Sequence, residues 1–431
     1  MSKYFLIVMI LSGIFFSGCG GHSTDHKKTI YLRLNENPLT LDPAVMVDLT
    51  AGEVGAKIFS GLIQYDAKSS SLSGDLAETF NVNRNGTEFT FKLKPSLFFS
   101  DGSPITSEDI LFSWKRVLSS ELSSPRSWVF EKIKGASEFK EGKSKDLEGF
   151  SIIDNLSFKV ILKEPYIQFL SLLTMPAASV ISKKAFSDFA EGRTRVPLSS
   201  GPYQVHYWKA DVQIHLIPNP YYYGSKRVHQ DLVYKIIPDD ASAITMISTG
   251  ELDILKTPRQ HTQHLRETLK NHSFLSIQEL NTYYIGFDHR KDFLDIFFKR
   301  AVSFLINKKE LIKTVMNQQA SEALSPVPPV LFAKQEFIKP MEYSESIAKE
   351  CYESSPATGK KIVFLVPTVK ESELAATVIQ DQMKKIGIPV EMRIMDWSAY
   401  KEAIAKGEAD MFLMSWWADY ADPENFLYPT F

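Results

Sequence analysis

"DLAETFNVNRNGTEFTFKLKPSLFFSDGSPITSEDILFSWKRVLS", Asp75 to Ser119, carries three structural signals in one run. From Thr87 to Phe99 apolar residues alternate with polar ones through Phe89, Phe91 and Leu93, which predicts a strand with one buried face. "DGSP" (Asp101 to Pro104) is a turn sequence. Thr106 then stands where a helix N-cap belongs, with Asp109 three residues on. Ile110, Leu111, Trp114 and Val117 follow at helical spacing. A strand, a tight turn and a capped amphipathic helix thus lie within 45 residues, and they indicate an α/β protein.

The same alternation of elements extends along the chain. "TIYLRLNENPLTLDP" (Thr29 to Pro43) reads as a strand and a loop, and "AGEVGAKIFSGLIQYD" (Ala51 to Asp66) as a helix with Val54, Ile58 and Leu62 on one face. "FSIIDNLSFKVILKEP" (Phe150 to Pro165) reads as a hairpin turning at Asp154 and Asn155. "SSGPYQVHYW" and "VQIHLIPNPYY" predict two strands joined near Ala210 and Asp211, and "LVYKIIPD" another. "ASAITMISTGELDIL" predicts a helix ending at Gly250 and then a short strand. From Thr282 the order is strand ("TYYIGFDHR"), helix ("DIFFKRAVSFLINKKELIKTVM"), strand ("KKIVFLVPT"), helix ("ELAATVIQDQMKKIG"), strand ("IPVEMRIMD"), helix ("WSAYKEAIAKGE") and strand ("ADMFLMSW"). That series predicts a parallel or mixed sheet with flanking helices. The Pro-dense passage Leu324 to Pro340 predicts a surface or crossing segment.

The 431 residues, 44% of them hydrophobic, are enough for two or three domains. A net charge of -2 gives no reason to expect a nucleic acid or an anionic membrane surface as partner. The N-terminus has Lys3, an apolar run from Tyr4 to Phe16, and small residues before Cys19, which is signal-peptide architecture. The run falls short of the roughly 20 residues that span a bilayer. "FSGC" resembles a bacterial lipobox, which implies a signal peptide over 1–18, lipidation at Cys19 and a flexible tether over 19–29. Two or more acyl chains hold a protein stably at a membrane. Cys351 is then the remaining cysteine and has no disulfide partner.

Catalytic patterns are weak. His261 and His264 in "HTQH" lie among polar neighbours and read as a solvated face, with no third ligand for a metal. "SEFK" and "SIAK" match S-x-x-K without partner motifs. No H-E-x-x-H, G-x-S-x-G or phosphate-binding glycine loop occurs. No cofactor, metal or catalytic residue is expected. Aromatic residues make up 12% of the chain, and Trp128, Tyr283, Tyr284, Trp416, Trp417 and Tyr420 sit at strand ends or beside turns, where α/β folds place ligand pockets. Asp419 beside them would attract a cationic group. These are features of binding.

The opening stretch resembles the signature of the oligopeptide- and dipeptide-binding lipoproteins of ABC importers, the extracytoplasmic solute-binding proteins of family 5. The resemblance continues in order through "SSGPY" (Ser199 to Tyr203), "NPYYYG" (Asn219 to Gly224), "STGELDI" (Ser248 to Ile254), "TYYIGFD" (Thr282 to Asp288), "FKRAVSFLINKKELI" (Phe298 to Ile312) and "WWADYADPENFL" (Trp416 to Leu427). It implies a type II periplasmic-binding-protein clamshell with an extra small domain. Residues 30–60 with 200–280 would form lobe I, 61–199 the small domain, and 281–431 lobe II. It also implies a lobe II that is incomplete, with the C-terminal portion missing.

By the same resemblance the protein is no enzyme but a monomeric binder. It would capture a peptide between the lobes and pass it to the permease of an ABC importer, held by its lipid at the periplasmic face of a bacterial membrane. Asp419 would pair with the peptide α-ammonium, and the backbone from Ser415 through Trp416 to Trp417 would bond the peptide. Asp48 and Leu49, in "VDL", would supply the opposite edge, with Tyr283 and Trp128 as pocket walls. Leu413 stands where some members hold the peptide carboxylate with Arg, and Ser372 near an assisting His. The ligand could therefore be longer, held differently, or a non-peptide such as a haem or metal chelate. A non-transporting surface lipoprotein acting through protein contacts is the alternative.

Overall fold

The computed structural model describes residues 29–66, 71–224, 230–331, 338–339 and 341–428. The expected signal peptide, Cys19 and most of the tether lie outside them, as does part of the Pro-dense passage. In chain order the strands are β1 (Ile30–Leu34), β2 (Ile63–Tyr65), β3 (Leu72–Gly74), β4 (Ala77–Val82), β5 (Glu88–Leu93), β6 (Phe150–Ile152), β7 (Ser157–Ile161), β8 (Tyr203–Lys209), β9 (Gln213–Pro218), β10 (Leu232–Ile236), β11 (Asn281–Phe287), β12 (Ile362–Pro367), β13 (Val390–Met395) and β14 (Met411–Trp417). They form a sheet of order β1-β10-β9-β8, a two-stranded β2-β3 ribbon, a sheet β4-β5-β7-β6 and a sheet β11-β14-β12-β13. Among the described residues no helix is long and apolar enough to cross a membrane.

Each large sheet has its own core. In the first, Ile214, Leu216 and Tyr234 meet Val54 and Ile58 of the helix Leu49–Ile58. The second is built from the stretch that opens the sequence. Phe89, Phe91 and Leu93 are fully buried, as the alternation predicts. The helix Ser107–Leu118 starts with a capping box in which the Thr106 N–H donates to Asp109 Oδ2 at 2.9 Å. Trp114 stacks on Phe130 at 4.8 Å and meets the edges of Phe150 and Phe169 at 5.5 and 6.0 Å. The third core packs the helices Ile296–Leu305, Glu345–Glu353 and Lys370–Lys385 on β12 and β14 through Phe298, Ile379, Phe364 and Met411.

Three expectations need correction. The first helix ends at Ile58, so Leu62 is not on its face. The chain leaves the helix to bond sideways, and Leu62 O accepts from the N–H groups of Asp75 and Ala77. The helix expected over 295–316 is two, Ile296–Leu305 and Lys308–Thr314. Asn307 breaks it by taking the N-cap role, its side chain accepting from Glu310 N at 3.1 Å. The short strand expected after Gly250 reduces to one bridge, Leu32 to Ile254. The third sheet is mixed, since β12 runs parallel to β13 and β14 while β11 is antiparallel to β14.

A buried ion pair ties the second core to the first. Arg116, on the face of the 107–118 helix away from Trp114, grips both carboxylate oxygens of Asp42, with its Nη1 at 2.6 Å from Oδ1. The side chains are 11% and 6% exposed, and the guanidinium lies 4.8 Å from the Phe186 ring. Arg116→Ala leaves Asp42 buried and uncompensated, and should cost about 3–5 kcal/mol of stability in urea unfolding. A loss below about 1 kcal/mol would place the pair with surface ion pairs and contradict this account.

Candidate functional site

The site grows from the C-terminal end of β14. Antiparallel pairs alternate between residues that exchange hydrogen bonds and residues that do not. The Asp288 N–H donates to Asp410 O, and the Ala418 N–H to Leu280 O, at 3.1 and 2.9 Å. In the register that pairs Asn281 with Trp417, the bonded residues of β14 are therefore the even-numbered ones. The N–H and C=O groups of Leu413, Ser415 and Trp417 point to the other edge.

That edge belongs to β12 only as far as Phe412, through Phe364↔Met411 and Leu365↔Phe412. β12 ends at Pro367, which has no N–H to continue the ladder. The Leu413 carbonyl is met instead by the hydroxyl of buried Tyr400 at 2.6 Å. Among the described residues no strand pairs with the outer edge at Ser415 and Trp417. Gly286 of β11 is needed on the inner side, because a Cβ there would meet the Phe412 ring at 2.1 Å.

Beyond Trp417 the chain folds onto the second core. Tyr420 is 6% exposed, joins that core and lies 6.4 Å from Trp128. Tyr65 OH donates to Ala421 O at 3.0 Å. Buried Asn425, on the short helix Glu424–Leu427, holds the turn together: its Oδ1 accepts from Asp419 N at 3.0 Å and from Trp416 Nε1 at 3.2 Å. Glu424 accepts from the hydroxyls of Tyr420 and Tyr166. Burial, with Glu424 beside it, pushes the Tyr166 hydroxyl up to about 12.

Asp419 is thereby fixed, and it meets a cation. Arg126 Nη1 lies 2.9 Å from Asp419 Oδ1, with side chains 21% and 28% exposed. Arg126 precedes the short 3-10 helix Ser127–Phe130 that carries Trp128, and its N–H donates to Ser124 Oγ at 3.0 Å. Ser124 in turn bonds the carbonyl of Ala44, just before the "VDL" segment. On the other side Lys256 Nζ lies 5.8 Å from the Trp417 ring centroid and 2.8 Å from Glu279. Tyr283, paired with Ser415, has its hydroxyl 3.3 Å from Arg259 Nη1.

The structure thus brings together Ser415, Trp416, Trp417, Asp419, Trp128 and Tyr283. Asp48 serves as N-cap of the helix Leu49–Ile58, accepting from Ala51 N at 2.7 Å and Thr50 Oγ1 at 2.6 Å. Leu49 is 75% exposed. Among the described residues no bond joins these two to the tryptophans. Leu413, 6% exposed, belongs to the third core. Sequence reading missed Arg126 and Asn425. Asn425 lies in a run it singled out, whereas nothing local links Arg126 to a residue 293 positions away. His261 and His264 are exposed, and among the described residues no cluster suited to a metal occurs.

The sequence profile of the bacterial extracellular solute-binding proteins, family 5 (middle region), matches residues 71–431, and the chain belongs to that family. Its folds are type II clamshells, and the chain shares that architecture. It is 25% identical over 94% of its length to the probable D,D-dipeptide-binding periplasmic protein DdpA of Escherichia coli, covering 78% of that protein. It is 24% identical over 98% of its length to the oligopeptide-binding protein OppA of Bacillus subtilis, covering 82% of it. Among solved structures, the unliganded open form of the periplasmic murein tripeptide-binding protein MppA superposes with a TM-score of 0.78 at 23% identity, over 94% of this chain and 81% of that one. Helicobacter pylori DppA in complex with the peptide STSA gives 0.70 at 24% identity, over 93% and 80%.

Two outcomes follow from the geometry. Asn425→Ala leaves the Asp419 N–H and the Trp416 indole N–H without their acceptor, and should cost about 1–3 kcal/mol together with a change in tryptophan fluorescence. Unaltered stability and emission would show that Asn425 does not hold the turn. The second concerns Tyr166, whose raised ionisation favours the neutral form. Its contribution to stability is complete below its ordinary value of 10.0 and is lost as pH rises through about 12. Absorbance titration at alkaline pH should show tyrosines that ionise late, Tyr343 among them, and replacing Tyr166 by Phe should reduce that phase by one tyrosine.

Proposed function

We propose that the chain is a peptide-binding lipoprotein that captures its ligand in an interlobe cleft and delivers it to the permease of an ABC importer. The observation that carries this reading is the outer edge of β14 beside Asp419. Ser415 and Trp417 turn their backbone donors and acceptors to an edge without a strand partner among the described residues. An extended peptide added there gains main-chain hydrogen bonds whatever its side chains. Asp419 stands at the end of that edge to receive an α-ammonium. Trp416, Trp417, Tyr283 and Trp128 form walls of flat rings that tolerate varied side chains. Asp48 caps the helix through Oδ1 while its Oδ2 is buried, and in this reading the opposite edge acts through backbone groups and the exposed surface of Leu49. Several relatives are named for dipeptides or oligopeptides, in agreement with this reading.

In this reading the chain divides into two lobes and a small domain. Lobe I comprises 30–60 and 200–280, the small domain 61–199, and lobe II begins at 281. The three apolar clusters support this division in outline, although Ala44 packs in the small-domain core, Ile181 in that of lobe I, and Tyr420 crosses from lobe II to the small domain. Closure of the lobes on a ligand would be a population shift driven by contacts made only in the closed state. Binding is the whole of the activity in this reading. The lipobox-like "FSGC" supports an anchor on Cys19 at the periplasmic face of the membrane.

Peptide mixtures should raise the melting temperature by mass action. Calorimetry should then show Asp419→Ala weakening peptide affinity by about 2–5 kcal/mol, as for loss of one member of a desolvated charge pair. An N-acetylated peptide should bind more weakly than its free amine. Failure of every peptide to shift the melt would end the peptide reading.

A further inference from the structure

A peptide ammonium arriving at Asp419 does not find an isolated carboxylate, because Arg126 is already there. The contact is one-armed. Among the described residues the guanidinium engages a side chain only through Nη1, and Asp419 Oδ2 has no hydrogen-bond partner. Neither group is positioned to leave. Asp419 is held by Asn425 and Arg126 by Ser124, and Arg126 leads into the short 3-10 helix whose Val129 and Phe130 are fully buried.

The neighbouring charged groups have ion-pair or hydrogen-bond partners of their own. Glu131 is paired with Lys140 at 2.6 Å, and Lys132 with Glu164. Glu424 faces two tyrosine hydroxyls, and Asp422 Oδ1 accepts from Glu424 N at 2.9 Å. At the contact itself one cation meets one anion, while the Glu424 and Asp422 carboxylates nearby are hydrogen-bonded by neutral donors. An α-ammonium at Asp419 would compete with Arg126 for that carboxylate inside a closing cleft, where a guanidinium left without its partner is expensive. A ligand that also brings a carboxylate restores the balance and uses the unengaged guanidinium donors, which favour planar oxyanions.

We propose that Arg126 makes the anchor bipolar and sets its specificity: the site selects peptides with a free amine and an acidic first residue, the ammonium taken by Asp419 and the side-chain carboxylate by Arg126. This rests on the peptide reading of the site and names its preferred ligand class.

Titration calorimetry with three tripeptides tests it: glutamyl-alanyl-alanine, alanyl-alanyl-alanine and lysyl-alanyl-alanine. The native protein should bind the glutamyl peptide at least about tenfold more tightly than the lysyl peptide, a difference of about 1.4 kcal/mol. In Arg126→Gln the preference should collapse or reverse, and in Arg126→Lys, which keeps the charge, it should persist in part. Unchanged melting temperatures show that both variants fold, and a variant that melts early is replaced by Arg126→Met. Equal affinities in the native protein, or the same ratio in Arg126→Gln, would overturn the role of Arg126 while leaving the peptide reading intact. No binding of any of the three tripeptides, or of a tetrapeptide mixture, would overturn both.

Discussion

Pro367 cannot donate a hydrogen bond, and the site depends on that. β12 and β14 run parallel and start as an ordinary ladder, but at Pro367 the ladder loses its donor. A buried Tyr400 hydroxyl covers the one carbonyl that the missing donor would orphan, that of Leu413. β14 continues past its neighbour with a clean outer edge, while β11 holds its inner edge through Trp417 and beyond to Ala418. A strand supported on one side only is a liability in most sheets, because it invites pairing with other chains. Here the exposed length is three residues, and it ends in a turn that closes on another body.

That turn is where the parts of the molecule meet. Tyr420 belongs to the second core although β14 belongs to the third, so the two bodies share a side chain. The tie is reinforced by Tyr65 to Ala421, Tyr166 to Glu424 and Arg126 to Asp419. Each joins the 61–199 region to the last described residues. On the other side Arg116 clamps Asp42, and Ser124 bonds Ala44, which fixes the segment leading to Asp48 and Leu49. The loop 119–126 is thus bonded to both segments proposed to face the ligand, and Arg126 lies at its end.

The legibility of the sequence divides along the range of the interactions. The β5 alternation, the Thr106–Asp109 capping box, the Asp154–Asn155 turn and the helix stop at Gly250 are fixed by residues a few positions apart, and all could be read directly. Asn307 shows how a local signal can be outvoted in reading. The apolar stripe ran unbroken across it, and only its cap bond to Glu310 shows that the helix restarts there. Leu62 fits a helical face by spacing, yet its carbonyl serves the N–H groups of Asp75 and Ala77. "WWADYADPENFL" was legible as a cluster but not as a geometry. Whether Ser415 and Trp417 face outward depends on β11 register, and whether that edge is open depends on Pro367, some fifty residues earlier in the sequence. Arg126 gave no signal, since a guanidinium between Pro125 and Ser127 reads as surface charge until the fold brings Asp419 to it.

The Arg126–Asp419 pair also shows why exposure must be weighed with charge. With side chains 21% and 28% exposed, the pair is still hydrated and contributes little to stability on its own. The balance changes when a ligand excludes that water. Electrostatic interactions strengthen as the effective dielectric falls, and the cost of any charge left without a partner rises with them. A pair that is nearly neutral for folding can therefore discriminate strongly among ligands, because the same closure that buries a ligand's charges also removes the solvent that would have tolerated a mismatch. The buried Asp42–Arg116 pair differs in this respect. It is already dry and bidentate, so its charges are committed to holding the fold, while those of Arg126 and Asp419 are each half used.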